Sequence, residues 1–132
     1  MAKSSNVSGT WKNELGSIMK LEVNQSGQIS GTYITYAEYL RCARSSNSPG
    51  EEADIVGYIN TQETEKTTTT TLAFCIAWKI EGSCSAFSGQ IFKEEDGTDV
   101  IKTTWLLHRP VDCLLGNWKA TRVGENTFHR VN

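Results

Sequence analysis

At 132 residues the chain has the length of one domain, and a domain of this size can bury about two-thirds of its unfolded surface. Its 13 basic and 15 acidic residues give a formal net charge of −2 at pH 7 without any basic run, which argues against nucleic acid or an anionic membrane as a partner. No stretch approaches the roughly 18 apolar residues of a membrane-spanning helix, and residues 1–8 lack the apolar region of a signal peptide, so we expect a soluble protein.

Alternation of apolar and polar residues predicts strands rather than helices. The clearest case lies between residues 71 and 80, where one face carries Leu72, Phe74, Ile76, Trp78 and Ile80. The same period of two runs through 18–24 and 98–108, and no segment keeps a helical period. In chain order, the predicted strands are about 8–15, 18–24, 28–36, 53–61, 69–80, 83–93, 98–108 and 118–130.

Short links that contain the Gly or Asn of tight hairpins separate several of these strands, namely Asn24-Gln25-Ser26-Gly27, Glu81-Gly82 and Glu95-Asp96-Gly97. Two longer connections, about 37–52 and 109–117, have the Ser, Pro and Gly content of loops. This order predicts an all-β fold, an eight-stranded antiparallel up-and-down β-barrel with a ligand pocket at the open end that carries both long loops. We expect one domain over residues 1–132, with residues 1–7 as a flexible N-terminus.

Polar side chains with inward parity near one end of the barrel need an explanation, because an unpaired buried polar group costs about 1–3 kcal/mol. They are Asn13, Tyr33, Thr35, Ser83, Ser85 and Asn126. Trp78, Phe87 and Trp105 share the inward face, and these aromatic side chains are suited to wall a small-molecule pocket. A hydrated barrel interior is the alternative explanation.

Catalytic chemistry has little support in the sequence. His108 has outward parity, His129 lies near the end of the chain, and no Ser-His-Asp order predicts a triad. Glu14, Glu38 and Glu81 fall near the ligand end, where such side chains are usually a solvated rim. The competing hypothesis from a different functional class is nevertheless a hydrolase that uses Glu38 and Glu81.

Cysteines and sequons leave several alternatives open. The four cysteines allow three disulfide pairings or free thiols, and neither CxxC spacing nor a nearby histidine pair supports zinc; they are Cys42, Cys75, Cys84 and Cys113. Asn6-Val7-Ser8 and Asn24-Gln25-Ser26 are glycosylation sequons, which matter only in a secretory pathway.

Four blocks in order resemble the avidin family over nearly the whole chain. They are Gly9-Thr10-Trp11-Lys12-Asn13-Glu14-Leu15-Gly16-Ser17, Gly31-Thr32-Tyr33-Ile34-Thr35, Trp105-Leu106-Leu107 and Trp118-Lys119-Ala120-Thr121-Arg122-Val123-Gly124. The resemblance implies a secreted homotetramer that binds biotin or biotinylated molecules without catalysis or a cofactor, with vitamin sequestration as its purpose. It also implies that Trp11 and Arg122 form the pair that closes the barrel.

The resemblance assigns roles to individual residues. It directs toward the ureido oxygen of biotin the donors Asn13, Ser17 and Tyr33, and toward its two ureido N–H groups the acceptors Thr35 and Asn126. A hydroxyl near the ring sulfur is implied for Ser85, and apolar walls are implied for Trp78, Phe87, Trp105 and Leu107. Near the biotin carboxylate it places Glu38 and Ser83, and Ala37 is included among the ligand-binding residues. Trp118 is implied to close the pocket of a neighbouring subunit.

Three departures from the family pattern bear on function. Glu38 and Glu81 fall near the carboxylate end, so we expect repulsion to weaken recognition of free biotin. The loop at 36–52 is rewritten with Tyr36, Tyr39 and Leu40, which leaves a bulkier apolar ligand as an alternative. Finally, one subunit contact that is usually apolar carries Thr104, Val123 and Glu125, which predicts a weaker assembly or a dimer.

Overall fold

Alternating burial along each strand matches the alternating sequence pattern, as in β5, where every second residue from Thr70 to Ile76 is buried. A computed structural model describes residues 6–35 and 51–131. Its strands are β1 (Gly9–Asn13), β2 (Ile18–Val23), β3 (Gln28–Ile34), β4 (Glu52–Glu63), β5 (Thr68–Trp78), β6 (Ser83–Lys93), β7 (Asp99–His108) and β8 (Thr121–Arg130).

The eight strands form a closed barrel in chain order, so the predicted up-and-down fold is confirmed. Each strand pairs antiparallel with the next, and β8 returns to β1 with Trp11 opposite Arg130. Hairpin turns fall at the predicted links. Gly27 and Gly97 have φ of 87° and 90°, a left-handed conformation that glycine adopts without steric cost.

Several strand boundaries differ from the prediction by two or three residues; β5, for example, ends at Trp78, so Ile80 lies outside the strand and is exposed. Two of the differences have a local cause. β1 ends at Asn13 rather than about residue 15, because the Asn13 side chain accepts hydrogen bonds from the Leu15 and Ser17 N–H groups and forms a turn. β8 begins at Thr121 rather than 118, because the preceding connection contains a 3₁₀ helix, Leu114–Lys119. No helix in the described ranges is long and apolar enough to cross a membrane.

Aromatic and aliphatic side chains fill the interior, and Trp11, Met19, Ile29, Ile101 and Phe128 are completely buried. Full burial of one such side chain contributes about 1.5–3 kcal/mol. This filled core occupies the barrel from its closed end, which is the end that carries the β2–β3, β4–β5 and β6–β7 turns. Within the barrel interior, this filled core therefore leaves the opposite end as the place for a ligand.

Arg130 closes the barrel over Trp11, so the implied pairing of Trp11 with Arg122 is wrong. The Arg130 guanidinium lies 4.4 Å from the centroid of the Trp11 ring, and it donates hydrogen bonds to the backbone oxygens of Ser8 and Asn6. Arg122 lies at the other end of β8, where it donates to the Lys119 carbonyl. The closed end is thus held by a cation on an aromatic face.

Asp99, at the closed end of the barrel, makes the stability of the folded state depend on pH in the acid range. Burial alone would raise the pKa of Asp99, but hydrogen bonds and charge from Lys93 (2.9 Å) and Arg130 (3.0 Å) hold its pKa below the ordinary value. A lowered pKa stabilises the folded state above the unfolded-state pKa of about 4, and this contribution is lost as the pH falls through the folded-state value.

We therefore expect Asp99→Asn to lower Tm by about 2–4 °C at pH 7, since the ion pairs are partly exposed. The difference from the parent should shrink as the pH falls below about 4. Thermal unfolding followed by circular dichroism between pH 2 and pH 7 measures this, with the exposed Asp112→Asn as the charge-matched control. An equal loss of Tm at every pH would contradict the ionic explanation.

Candidate ligand-binding site

A cluster of buried polar side chains lies at the open end of the barrel. The up-and-down order brings together at this end, the mouth, the connections β1–β2, β3–β4, β5–β6 and β7–β8. Just inside it are six polar side chains that are only 2–7% exposed: Asn13, Ser17, Thr35, Ser83, Ser85 and Asn126. The structure therefore brings together six residues that sequence analysis assigned to the site, and it buries Tyr33 beside them.

Asn13 is fixed with its amide nitrogen toward the interior. Its Oδ1 accepts hydrogen bonds from the N–H groups of Leu15 and Ser17, both at 2.9 Å. Its Nδ2 donates to the Tyr33 hydroxyl at 3.2 Å. Because the oxygen is occupied by the turn, Asn13 presents a donor to the pocket.

Aromatic side chains wall the polar cluster. The Tyr33 ring packs edge-on against Trp78, with centroids 5.6 Å apart, and at 5.8 Å from Phe87. Trp78 Nε1 donates to Ser85 Oγ at 2.8 Å, which holds the indole beside the pocket. Phe87 is stacked on Phe74 at 4.7 Å, so the wall continues into the core. These contacts give a rigid apolar pocket with a few oriented polar groups.

Two polar atoms in this wall have no hydrogen-bond partner among the described residues: Ser83 Oγ and Trp105 Nε1. Ser83 is 2% exposed. A buried unpaired hydroxyl costs about 1–3 kcal/mol, and a polar ligand would offset that cost. The donors and acceptors of this end are therefore suited to a small molecule that combines polar groups with an apolar body.

Glu14 is exposed at the rim, as expected, and its carboxylate also contacts the polar cluster. Its carboxylate accepts hydrogen bonds from Asn126 Nδ2 at 2.7 Å and from the Thr127 N–H at 2.9 Å. Burial would raise the pKa of Glu14, but these hydrogen bonds and the nearby Lys102 charge hold its pKa below the ordinary value. Glu14 is thus ionised when it holds the Asn126 amide at neutral pH.

The remaining predicted residues do not all line the pocket of one chain. Leu107 is partly buried on β7, whereas Trp118 is 83% exposed on the 3₁₀ helix. Glu81 and Arg122 line a groove of about 710 Å³ beside the mouth, together with Trp105 and Leu107. Ala37 and Glu38 lie outside the described residues, as do Tyr36, Tyr39 and Leu40.

Thiols and histidines do not form a metal centre in the described ranges, where no group of three or more His, Cys, Asp or Glu side chains could hold an ion. Cys75, Cys84 and Cys113 are free and exposed, and Cys42 lies outside the described residues. His108 is exposed on the outer face of β7, as its parity predicted.

Comparison with known proteins identifies the family. The family model named Avidin matches residues 1–131. The chain belongs to the avidin family. Avidin of chicken (Gallus gallus) is 37% identical over 131 residues, which cover 98% of this chain and 81% of that protein. Chicken avidin-related protein 1 is 36% identical over 132 residues, with coverage of 98% and 80%.

Solved structures of the same family share the fold. A biotin-binding protein from chicken superposes with a TM-score of 0.83 at 31% identity, and the match covers 98% of this chain and 100% of that one. Xenavidin superposes with a TM-score of 0.80 at 34% identity and the same coverage. Avidin-family proteins are non-catalytic biotin binders that need no cofactor, so this chain is not an enzyme and the hydrolase hypothesis is wrong.

Two residues of this site, Gly124 and Glu14, were not predicted from the sequence to be pocket residues. Gly124 lies opposite Trp105, and a Cβ added to it would lie 2.2 Å from the indole, so the indole packs directly on the β8 backbone. Glu14 was recognised only as a rim acid. Inward parity identifies the position of Gly124, whereas the contact of Glu14 with Asn126 depends on barrel closure.

Proposed function

We propose that this chain binds biotin in the mouth of its barrel and sequesters the vitamin. The observation that carries the proposal is the buried polar cluster, in which donors and acceptors lie among Trp78, Phe87 and Trp105. Biotin has a polar cyclic urea fused to a sulfur-containing ring, and both features match this combination of groups. Membership of the avidin family supports the same ligand.

The roles of individual residues are part of the proposal. Asn13, Ser17 and Tyr33 donate to the ureido oxygen, and the fixed amide of Asn13 supports this direction. Preorganised donors in a pocket shielded from water bind a polarised carbonyl strongly. Acceptors for the ureido N–H groups are Thr35 and Asn126. Ser85 lies near the sulfur, and the fused rings pack on Trp78, Phe87, Trp105 and Leu107.

The carboxylate end of biotin is the weak part of the site in this proposal. Ser83 supplies a buried hydroxyl there, and the family resemblance assigns Glu38 to the same end. Glu81 is exposed beside the mouth. Two acidic side chains near a third carboxylate repel it, so an uncharged biotin amide should lose little affinity relative to free biotin.

Assembly into a homo-oligomer, a tetramer by family analogy, completes the proposal. The outer surface of the barrel exposes several large apolar side chains, each more than half exposed: Val56, Tyr58, Leu106 and Val123. A face of this kind is suited to a second copy of the chain.

Glu125 and Thr104 are exposed beside Val123, so we expect one contact between subunits to be sensitive to dilution or pH. An unchanged tetramer at nanomolar concentration by mass photometry would contradict this expectation.

A titration tests the ligand. Tryptophan fluorescence is followed as biotin is added, and then again with a biotin amide, because Trp78 and Trp105 lie in the pocket wall. Stoichiometric quenching by biotin would support the proposal. Equal affinity for the amide would support the repulsion of the biotin carboxylate that is expected from Glu38 and Glu81. No response to either ligand would overturn the proposal, and larger apolar molecules would then be screened for the alternative function.

Secretion and glycosylation are proposed from the family and from one exposed sequon. Asn24 is exposed in the β2–β3 turn at the closed end, so a glycan there would leave the mouth open. Asn6 is also exposed, but Val7 of its sequon is buried. After expression through a eukaryotic secretory pathway, a mass decrease on N-glycosidase treatment that Asn24→Gln abolishes would support the proposal. An unmodified mass would contradict it.

A further inference from the structure

Glu14 makes two short hydrogen bonds across the seam between the β1–β2 turn and β8. One oxygen accepts from Asn126 Nδ2 at 2.7 Å and the other from the Thr127 N–H at 2.9 Å. Both carboxylate oxygens are therefore used, one for the backbone and one for a side chain of the polar cluster. The contact is separated by 112 residues in sequence and closes only when β8 meets β1.

A carboxylate restricts how the Asn126 amide can be oriented. An ionised Glu14 can only accept hydrogen bonds, so the atom of Asn126 that faces it must be the nitrogen. The amide oxygen then lies on the other side of the group, toward the barrel interior that Asn126 shares with Phe128. Asn13 is fixed in the opposite sense by the turn that occupies its oxygen. The two amides therefore present opposite polarities, a donor from Asn13 and an acceptor from Asn126.

We propose that Glu14 is a positioning residue that keeps the Asn126 carbonyl oxygen facing the pocket and so makes the site specific for ligands that offer an N–H group at that point. This inference rests on the proposed function, because the N–H in question is that of the cyclic urea of biotin. Glu14 acts through Asn126 and does not itself contact the ligand.

Replacing Glu14 by Gln gives a sharp test, because glutamine has the same shape but only one oxygen. The Thr127 N–H requires that oxygen, which leaves Nε2 of the new side chain opposite Asn126. Two donors would then face each other unless the Asn126 amide turns over. A turned amide presents Nδ2 to the ureido N–H, so we expect Glu14→Gln to weaken biotin binding by about 10- to 100-fold in isothermal titration.

Glu14→Ala separates orientation from simple structural support. Alanine removes the constraint without imposing the wrong one, so Asn126 can still turn its oxygen toward biotin. We expect the alanine variant to lose less affinity than the glutamine variant, by less than about tenfold. A purely structural role predicts the reverse order, because alanine deletes both hydrogen bonds. Glu22→Gln, on the exposed face of β2, is the charge-matched control and should bind as the parent does.

A double variant supplies the rescue. In Glu14→Gln with Asn126→Asp, the Gln Nε2 donates to the new carboxylate, whose oxygens are acceptors in either orientation. We expect the double variant to recover at least tenfold of the affinity lost by Glu14→Gln. Thermal unfolding without ligand is measured for every variant, so that misfolding is not mistaken for a change in polarity.

The outcomes separate this inference from the proposed function. If the parent protein does not bind biotin, the proposed function fails, and with it the ligand assumed here. If the parent binds biotin and Glu14→Gln binds equally well, or if the double variant recovers nothing while remaining folded, only the role of Glu14 is overturned.

Discussion

Replacing Trp118 by Lys should lower biotin affinity by about 10²–10³-fold, equivalent to roughly 3–4 kcal/mol. In a single chain Trp118 is 83% exposed on the 3₁₀ helix, where it cannot bury its indole. If the indole caps the pocket of a neighbouring copy, its loss removes both apolar contact and the exclusion of water. Isothermal titration with biotin measures the affinity, and mass photometry the assembly.

Leu114, on the same 3₁₀ helix, provides the control for Trp118. Leu114 is 88% exposed on the same helix, so Leu114→Lys introduces the same charge at a similar surface. We expect this control to bind biotin within about threefold of the parent, as surface substitutions usually change free energies by about 0.5 kcal/mol or less. Trp118→Phe should retain most of the affinity. Parent-like binding by a tetrameric Trp118→Lys would show that the indole does not serve a neighbour.

Gly124→Ala should weaken biotin binding by about 2–4 kcal/mol, because it displaces a wall of the pocket. The added Cβ would lie 2.2 Å from Trp105 Cζ2 and 2.7 Å from Cε2, both well inside contact distance. The β8 backbone at Gly124 is held within a continuous ladder to β7, in which Gly124 lies opposite Trp105, so the indole is the group that must move. Titration gives the affinity, and the emission maximum of tryptophan reports displacement of the indole.

Gly116→Ala is the matched control for Gly124, because its new Cβ would find its nearest neighbour, Val111 Cβ, at an ordinary 3.5 Å. It should leave both affinity and emission unchanged. In the Gly124→Ala background, Trp105→Phe should restore some of the lost thermal stability by shortening the side chain. If Gly124→Ala binds biotin like the parent, the indole is not a fixed wall.

The fold follows from sequence because a period of two is a strong signal wherever one face is buried. The alternation from Leu72 to Ile80 indicated β5, and the turn glycines fixed the neighbouring hairpins. The signal fails at short irregular elements. The 3₁₀ helix has no periodicity to detect, so Trp118 was assigned to the start of a strand instead. Likewise, β1 ends early because the Asn13 side chain accepts hydrogen bonds from the Leu15 and Ser17 N–H groups, which spacing does not reveal.

The candidate site is predictable to the level of which residues face inward, but not of which groups bind each other. Inward parity along the strands predicted that Asn13 and Asn126 both face the barrel interior. The resemblance to the avidin family implied that their ligand is biotin. Their opposite orientations depend on a turn and on Glu14, whose partner is 112 residues away. Arg122 and Arg130 share one parity on β8, so only the register with β1 selects Arg130 as the partner of Trp11.

Barrel closure also decides where this protein can be attached to something else. Residue 6 and residue 130 meet at the end away from the mouth, where Arg130 bonds to the Asn6 carbonyl. A fusion partner or a solid support joined at either point is held behind the pocket, and the opening faces free solution. Linking the two points with a short tether and cutting the chain in the turn at Glu94–Gly97, which is at the same end, gives a permuted protein with an unobstructed entrance.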